Sequence, residues 1–567
     1  MRKAAGLLLA LAMLLAIVPA GAGSSDTRGI SGSTLIDTDG SDGYSGDYVL
    51  IFNPSTMIDN VKNTGDMSEL IEHEVEPYEW KERDDTHVRC PMGDADAYLA
   101  KEAKAKGEYS PMKTSKAPLE FEVGDTHVFY ITWYSPTGNP NILFKVLAKG
   151  EHCYVWTPVS DDPNVWPLDG LDPDYAQIAA DVFDSKFDLM LESFGEHDNG
   201  ELGDGRLNLM FYNIDEGWEY QNPITYFGGY FYSYDYYYNE MPMLNIDTYP
   251  TIHYVYEDGT VYEDIALIYN VMVHEYQHLI NYSNCGFTDD MINETMSAAA
   301  EEICFPGSSV VGRLLSWTNY YEMGGYDLLD PPVEVEYIPE YPVENGYSLF
   351  RWDYLPVDTL VLYAQGSLFA QYLYTHFGNT VFHAITDELA DGCSTVAAIE
   401  NATERDASML AEEFRVAVTA NTGQDEYGGK YGFKVQEGYD PDEYYGVENP
   451  YDLLCPVVFT GDSCEISGGG AICVKPVGGV YYPPHGASSG LIYYGITRNA
   501  TPPEPIEGDV DLDGFVTAND ALLTLRYSLG LTALTDAQLA EADVDGSGVI
   551  DANDALTILR KSLGLVS

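Results

Sequence analysis

The spacing of hydrophobic and polar residues changes several times along the chain. Short apolar runs rich in β-branched and aromatic residues, at 48–52, 127–133 and 143–147, are bounded by Gly, Pro and Asp and predict strands. Apolar residues at helical spacing follow between 171 and 382, and short strand-like runs return after residue 423. The pattern predicts a β-rich region, a mixed region and a second, smaller β region.

Helical periodicity is strongest in the middle of the chain. It occurs at 175–194, 265–282, 290–304 and 360–377, with a strand-like run at 207–212 between the first two stretches. Helices and strands mixed in this way predict an α+β domain, which is the make-up expected of a catalytic domain.

The first 22 residues have a character of their own. Arg2 and Lys3 precede an apolar run at 4–17, and small residues follow at 19–22. This order predicts a cleaved secretory signal peptide. The alternative is a membrane anchor, but the run is short for a span of ~20 residues. We expect a secreted chain with no membrane span after signal cleavage.

A proline-rich tract at 501–505 predicts a short, stiff linker before a C-terminal module. We divide the chain into a signal peptide at 1–22, an N-terminal β-rich region at 23–165, an α+β domain at 166–420, a small β domain at 421–500, the linker at 501–507 and the module at 508–567. The N-terminal region is either a structural domain or a removable propeptide, because the sequence holds no decisive processing signal.

Charge and cysteine content limit the partners and the chemistry. The 567 residues carry a formal net charge of −64, which repels nucleic acid and anionic membranes, so neither is expected as a partner. The eight cysteines of an exported chain permit disulfides. The local candidates are Cys285 with Cys304 and a pair among Cys455, Cys464 and Cys473, with buried free thiols as the alternative.

A metal-binding pattern lies in the helical stretch 265–282. His274 and His278 are four residues apart, so both imidazoles project from one helix face and can hold a single ion. Two neutral imidazoles suit zinc, and the adjacent Glu275 can act as the general base of a hydrolysis. The alternative is a pair of surface histidines, which the apolar flanks disfavour.

A zinc enzyme needs a third protein ligand and one open position. Glu294 is the best candidate, because it follows a predicted Asp N-cap and lies in an apolar, small-residue run where an unpaired carboxylate is costly. Glu301 and Glu302 are two turns further along, roughly 10 Å at 1.5 Å per residue, and cannot share the ligand position with Glu294.

The string His274-Glu275-x-x-His278 followed by Asn293-Glu294-Thr-Met-Ser297 resembles the gluzincin metallopeptidases, and most of all the hyicolysin-like neutral metallopeptidases. The resemblance extends over about residues 170–390. It implies a zincin-like fold for the α+β domain, one catalytic zinc held by His274, His278 and Glu294, and peptide hydrolysis by Glu275-assisted attack of zinc-bound water.

Two features depart from the family pattern. Only 15 residues separate His278 from Glu294, slightly fewer than in the thermolysin-like branch. Ala298 stands where thermolysin-like enzymes have an Asp that orients a zinc-bound histidine, so that role is open between Glu301 and Glu302. The donor that stabilises the transition state is also open, since the chain has 46 tyrosines.

The C-terminal module contains a duplicated calcium loop. Each copy has oxygen ligands at positions 1, 3, 5, 9 and 12, a position-7 carbonyl and Gly at position 6. The first loop uses Asp509, Asp511, Asp513, Phe515, Thr517 and Asp520, and the second uses Asp543, Asp545, Ser547, Val549, Asp551 and Asp554. The copies are 34 residues apart, and the helix after each loop is duplicated as well, so the module is expected to bind two calcium ions.

Loop and helix together resemble a type I dockerin. The resemblance implies calcium-dependent capture by a cohesin domain of a bacterial scaffold or cell-surface protein. By the same resemblance, Ala518 and Asn519, with Ala552 and Asn553, occupy the positions that contact the cohesin. The whole is then a multidomain protein, with a zincin-like α+β catalytic domain, two β-rich regions and an α-helical, calcium-binding dockerin.

These patterns predict a secreted zinc metalloendopeptidase that acts on protein or peptide substrates within a cell-surface or cellulosome-like complex. The main alternative is a non-catalytic adhesin or binding protein that uses a peptidase-like fold. A carbohydrate-active enzyme is a third possibility, but it requires a carboxylate pair that the sequence does not single out.

Overall fold

The computed structural model describes residues 33–38, 40–73, 117–131, 140–159, 171–214, 228–249, 251–255, 261–286, 288–308, 310, 345–352, 359–423, 426–441, 448–454 and 456–500, and in the C-terminal module 507–508, 510, 516, 518–529, 534 and 536–562. The predicted signal peptide at 1–22 and the linker up to residue 506 lie outside these ranges. No helix among the described residues has the length and apolar character needed to cross a bilayer.

The strands begin near the N-terminal end of the described chain and end shortly before the C-terminal module. They are β1 (Ser33–Asp37), β2 (Tyr44–Ser45), β3 (Tyr48–Phe52), β4 (Lys62–Asn63), β5 (Thr126–Tyr130), β6 (Asn141–Lys149), β7 (Cys153–Pro158), β8 (Leu207–Tyr212), β9 (Gly229–Tyr230), β10 (Met243–Asp247), β11 (His253–Val255), β12 (Val261–Glu263), β13 (Glu465–Ile466), β14 (Ala471–Val474), β15 (Val480–Tyr481) and β16 (Ile492–Ala500).

The helices occupy the middle of the chain and the C-terminal module. They are α1 (Pro173–Phe194), α2 (Ser233–Asn239), α3 (Tyr269–Cys285), α4 (Asp290–Cys304), α5 (Thr359–Phe377), α6 (Thr380–Ala390), α7 (Thr395–Thr403), α8 (Ala407–Ala420), α9 (Ala518–Ser528), α10 (Asp536–Ala542) and α11 (Ala552–Ser562). The four helices predicted in the central region correspond to α1, α3, α4 and α5. Together with the sheets, these helices make a multidomain α+β protein.

The central sheet has six strands in the order β5-β6-β7-β8-β10-β9. β7, β8 and β10 run parallel, whereas β9 lies antiparallel to β10 at one edge. All six residues of β7 are buried, with Val155 packed in the main core and Trp156 in an aromatic core on the opposite face. β7 pairs with β6 at one edge and with β8 at the other, so β5 to β7 join β8 across the boundary drawn at residue 165.

A second sheet joins the N-terminal strands to strands that lie shortly before the C-terminal module. Its order is β1-β16-β3-β14, so N-terminal strands alternate with strands from the predicted small β domain at 421–500. The predicted division treats these strands as two separate regions, whereas the structure pairs them. A sequence pattern identifies strands but not their partners, which is why this pairing was not foreseen.

The described cysteines are free thiols. Cys285 and Cys304 do not form the disulfide considered above, and neither do Cys464 and Cys473; Cys455 lies outside the described residues. Burial raises the pKa of the Cys285 and Cys304 thiols to about 12, so both are protonated and unreactive near neutral pH.

Candidate metal centre and C-terminal calcium loops

Two packed helices, α3 and α4, bring together the three predicted zinc ligands. One ligand atom from each of His274, His278 and Glu294 lies within 4.8 Å of the other two. Nε2 of His274 is 3.4 Å and Nε2 of His278 is 3.7 Å from the Glu294 carboxylate. Asp289 accepts the N–H of Met291 and is the N-cap from which α4 begins, as predicted. The role of His274, His278 and Glu294 as zinc ligands stays a prediction, but the geometry that this role requires is present.

Glu301, and not Glu302, contacts the first histidine. Nδ1 of His274 lies 2.7 Å from Oε1 of Glu301, so its N–H donates to this carboxylate and Nε2 faces Glu294. Glu302 instead accepts the backbone N–H groups of Gly307 and Val310 at the end of α4. Of the two carboxylates that the sequence leaves open, Glu301 is therefore the one that contacts His274.

The second histidine has a hydroxyl neighbour that the sequence analysis missed. Oγ of Ser297 lies 3.0 Å from Nδ1 of His278, and it donates to Oε1 of Gln277 at 2.6 Å. Ser297 follows Glu294 by three residues and so lies on the same side of α4. That spacing places Ser297 beside Glu294, but it does not show which residue of α3 the hydroxyl contacts.

The predicted base, Glu275, is buried beside the ligands with 4% of its surface exposed. Its Oε2 accepts the N–H of Phe231 at 2.8 Å, directly after the edge strand β9. A Cβ on Gly229 would lie 2.5 Å from the Val271 side chain and 3.4 Å from Cγ of Glu275. The glycine thus allows the edge of the sheet to lie against the helix that carries the site.

Burial and neighbouring charges set the pKa values of the site. Burial, reinforced by the nearby carboxylates of Glu294 and Glu301, raises the pKa of Glu275 to about 7. Burial opposes protonation of His274, but its contacts with Glu294 and Glu301 outweigh this and raise the pKa of His274 to about 10. Burial lowers the pKa of His278 to about 4.

The donor set fits a divalent cation. Glu275, Glu294 and Glu301 are each no more than 5% exposed and surround two imidazoles. Three buried carboxylates repel one another unless protons or a cation compensate their charge. Two imidazole nitrogens and a carboxylate oxygen make a ligand set that zinc prefers.

Three of the six predicted ligands of the second calcium loop lie close together. Carboxylate oxygens of Asp543, Asp545 and Asp554 lie within 4.8 Å of one another. Oδ1 and Oδ2 of Asp543 accept the backbone N–H groups of Ser547 and Gly548, which fold the loop around these oxygens. Oδ2 of Asp554 accepts the N–H of the position-9 residue, Asp551, at 2.8 Å.

Most of the first loop lies outside the described residues, namely Asp509, Asp511, Asp513, Phe515 and Thr517. Its last ligand, Asp520, is described and fully buried, as Asp554 is in the second copy. Oδ1 of Asp520 accepts the N–H of Val510 at 2.8 Å, a contact between the two ends of the loop.

The predicted partner-binding residues begin the helices that follow the loops. Ala518 and Asn519 start α9, and Ala552 and Asn553 start α11. Both helices also present leucines to the surface. Leu522 and Leu556, which are 34 residues apart, are 49% and 45% exposed, so the sequence repeat is also a repeat of exposed apolar surface.

Comparison with known proteins identifies the C-terminal module but gives no match for the region of the candidate metal centre. No curated protein is found to be similar to this chain. Residues 507–563 match the family model described as the dockerin type I domain. The match includes both loops and the helices α9 to α11. Residues 507–563 are therefore a type I dockerin domain.

Proposed function

We propose that this protein is an extracellular zinc-dependent metalloendopeptidase that works while docked to a scaffold. The dockerin domain implies calcium-dependent binding to a cohesin in a cellulosome-like complex. The peptidase part of the proposal rests mainly on one observation, the convergence of His274, His278 and Glu294 beside a buried Glu275.

In this proposal, Nε2 of each histidine and the carboxylate of Glu294 hold the zinc ion. Bound zinc supplies a Lewis acid, which polarises a carbonyl group and lowers the pKa of water. Glu301 fixes the orientation and protonation of His274, because its carboxylate accepts the proton of Nδ1. The hydroxyl of Ser297, next to Nδ1 of His278, restricts the ring of the second histidine in a similar way.

Glu275 is proposed to accept a proton from the attacking water and to deliver it to the leaving amine. A group that accepts and then donates a proton works best with a pKa near the working pH. Burial raises the pKa of Glu275 in the protein without metal, which is the direction that a proton-holding carboxyl group requires. The N–H of Phe231 holds Oε2, which leaves Oε1 to exchange the proton.

The decisive experiment is Glu275→Gln in the full chain. We expect casein cleavage to fall at least ~10³-fold, because the amide cannot accept the proton, while zinc content and thermal stability stay close to those of the parent protein. Glu192→Gln, on α1 and outside the site, is the control for the amide substitution. Casein cleavage that persists in a folded, zinc-loaded Glu275→Gln protein overturns the proposed base.

The alternative is a binding protein with a peptidase-like fold. It predicts a parent protein that holds zinc and captures casein or peptides without cleaving them. Mass spectrometry of peptides incubated with the parent protein, with and without a zinc chelator, separates the two outcomes. Products that disappear on chelation and return with added zinc support the enzyme.

A further inference from the structure

The N-terminal segment of the described chain, 33–73, lies in a sheet that a later segment, 456–500, completes; these two segments are called the two ends below. β3 is an interior strand, with β14 on one side and β16 on the other. Phe52 is opposite Ala471 of β14 and Ile492 of β16, and Leu50 is opposite Cys473 and Tyr494. The backbone of β3 is thus paired on both sides by residues more than 400 positions away in the sequence.

Backbone hydrogen bonds continue this pairing beyond the sheet. The N–H of Thr64 donates to Cys464 O at 3.0 Å, that of Met67 to Asp462 O at 2.7 Å, and that of Glu72 to Lys475 O at 2.8 Å. β4 pairs with β13 in the same region. From β1 to Glu72, the N-terminal segment is therefore bonded along its length to residues 456–500.

The two ends also share a hydrophobic core. Val49, Ile51, Met67 and Ile71 from the N-terminal segment pack with Ile466, Ile472, Val474 and Tyr493 from the C-terminal one. The alternate residues of β3, Leu50 and Phe52, point to the other face and belong to the core of the α+β domain. Neither end buries its apolar residues without the other.

Glycines permit the closest approach between the ends. A Cβ on Gly46 would lie 2.4 Å from the backbone nitrogen of Ile496, and one on Gly495 would lie 2.2 Å from the carbonyl oxygen of Ser45. Both distances are far below van der Waals contact. Each glycine lies against the backbone of the opposite segment, and any larger side chain at either position would force the two segments apart.

Tyr427, which precedes the segment 456–500, also holds the first strand. The N–H of Ile36 donates to the hydroxyl of Tyr427, and that hydroxyl donates to the carbonyl oxygen of Thr34 at 2.9 Å. A side chain thus occupies the outer edge of β1, where a further strand would otherwise bind.

We infer that residues 33–73 are a permanent part of the mature protein, held by residues 456–500, and not a propeptide that maturation removes. Loss of this segment would leave the facing edges of β14 and β16 without partners and expose the core that the two ends share. β5 to β7 are retained for the same reason, because they complete the central sheet. The inference holds whether or not the site hydrolyses peptides.

The first test is the N-terminus of the folded protein secreted by its expression host, determined by N-terminal sequencing and intact mass. We expect every folded species to begin at or before Ser33. A folded species that begins after residue 73 and has lost the preceding segment overturns the inference.

The second test cleaves the chain after β3 and asks whether the N-terminal fragment stays bound to the rest of the protein. The recognition sequence of a site-specific protease is inserted between the exposed residues Asp59 and Asn60, so that cleavage separates β1 to β3 from the rest of the chain. We expect the fragment to co-elute fully with the remainder in native buffer and to separate only in denaturant. Release of the fragment in native buffer contradicts the inference.

The matched control places the same recognition sequence in the linker at 501–506. Cleavage there is expected to release the dockerin domain in native buffer, because its described apolar residues form a core of their own. Together the two insertions distinguish a segment held by the fold from one held only by the chain. If the Asp59 site resists cleavage, the N-terminal sequence still decides the question.

Discussion

The second calcium loop and the proposed zinc site are built in opposite ways. In the second dockerin loop, all the ligands come from 12 consecutive residues, and Asp543 is exposed enough to meet solvent at the loop. In the proposed zinc site, the predicted ligands come from two helices, and the carboxylates of Glu275, Glu294 and Glu301 are buried. The first site is specified by local spacing and the second by helix packing, so the two should respond differently to substitution.

Glu294→Ala is expected to produce the largest difference between zinc binding and calcium binding. Loss of this carboxylate should weaken zinc binding more than ~100-fold, because outer contacts to a metal ligand alone are worth about 10–100-fold. Competition with a chromophoric zinc chelator measures the change. The calcium content of the dockerin domain should not change, and a parallel loss of calcium would show that the two regions are coupled.

The reciprocal substitution is Asp554→Ala. Removing one member of a buried charged group costs about 3–5 kcal/mol, so calcium affinity at the second loop should fall by at least ~100-fold. The loop and α11 should then unfold in buffers where the parent domain is folded, as calorimetry over a calcium titration can record. Unchanged zinc content is the control.

Glu301→Gln is expected to have a smaller effect on zinc affinity, a loss of about 10–100-fold. The amide still fills the space next to Nδ1 of His274 but no longer carries the charge that stabilises its N–H. Glu302→Gln is the comparison, since Glu302 binds backbone N–H groups and should change stability without changing zinc affinity. Partial recovery in Glu301→Asp would identify Glu301 as a positioning residue.

Acid should lower the stability of the α+β domain more than that of the dockerin domain, although this effect is smaller than those above. Burial lowers the pKa of His376, on α5, to about 4, below its value of about 6.5 in the unfolded chain. A histidine held neutral in the fold contributes stability that is present above pH 6.5 and is lost as the pH falls towards 4. We expect on the order of 2 kcal/mol from this group, and none in the dockerin domain, whose sequence at 507–563 contains no histidine.

Thermal unfolding at several pH values checks this prediction. The α+β domain of the His376→Gln protein should lose less stability between pH 6.5 and pH 4.5 than the parent. The calcium-loaded dockerin domain should behave alike in both proteins. Equal acid sensitivity of the α+β domain in parent and variant would remove His376 as a cause.

Local elements followed the sequence closely. α4 spans the predicted residues 290–304, and β8 spans the predicted run 207–212. The stretch predicted as a helix at 265–282 begins with a short 3₁₀ turn at Ile265–Ile268 and continues as α3 to Cys285. Such elements depend on neighbours three or four residues away, or two in a strand, which a sequence displays directly.

The sequence by itself determined the two ion-binding patterns. His274, Glu275 and His278 lie close together because one helix turn joins them, and the calcium ligands do because one loop joins them. Tertiary structure alone decided that Glu301, and not Glu302, meets His274, that Ser297 meets His278, and that β3 lies between β14 and β16. These contacts depend on how helices and strands pack across distances in the sequence that no local spacing records.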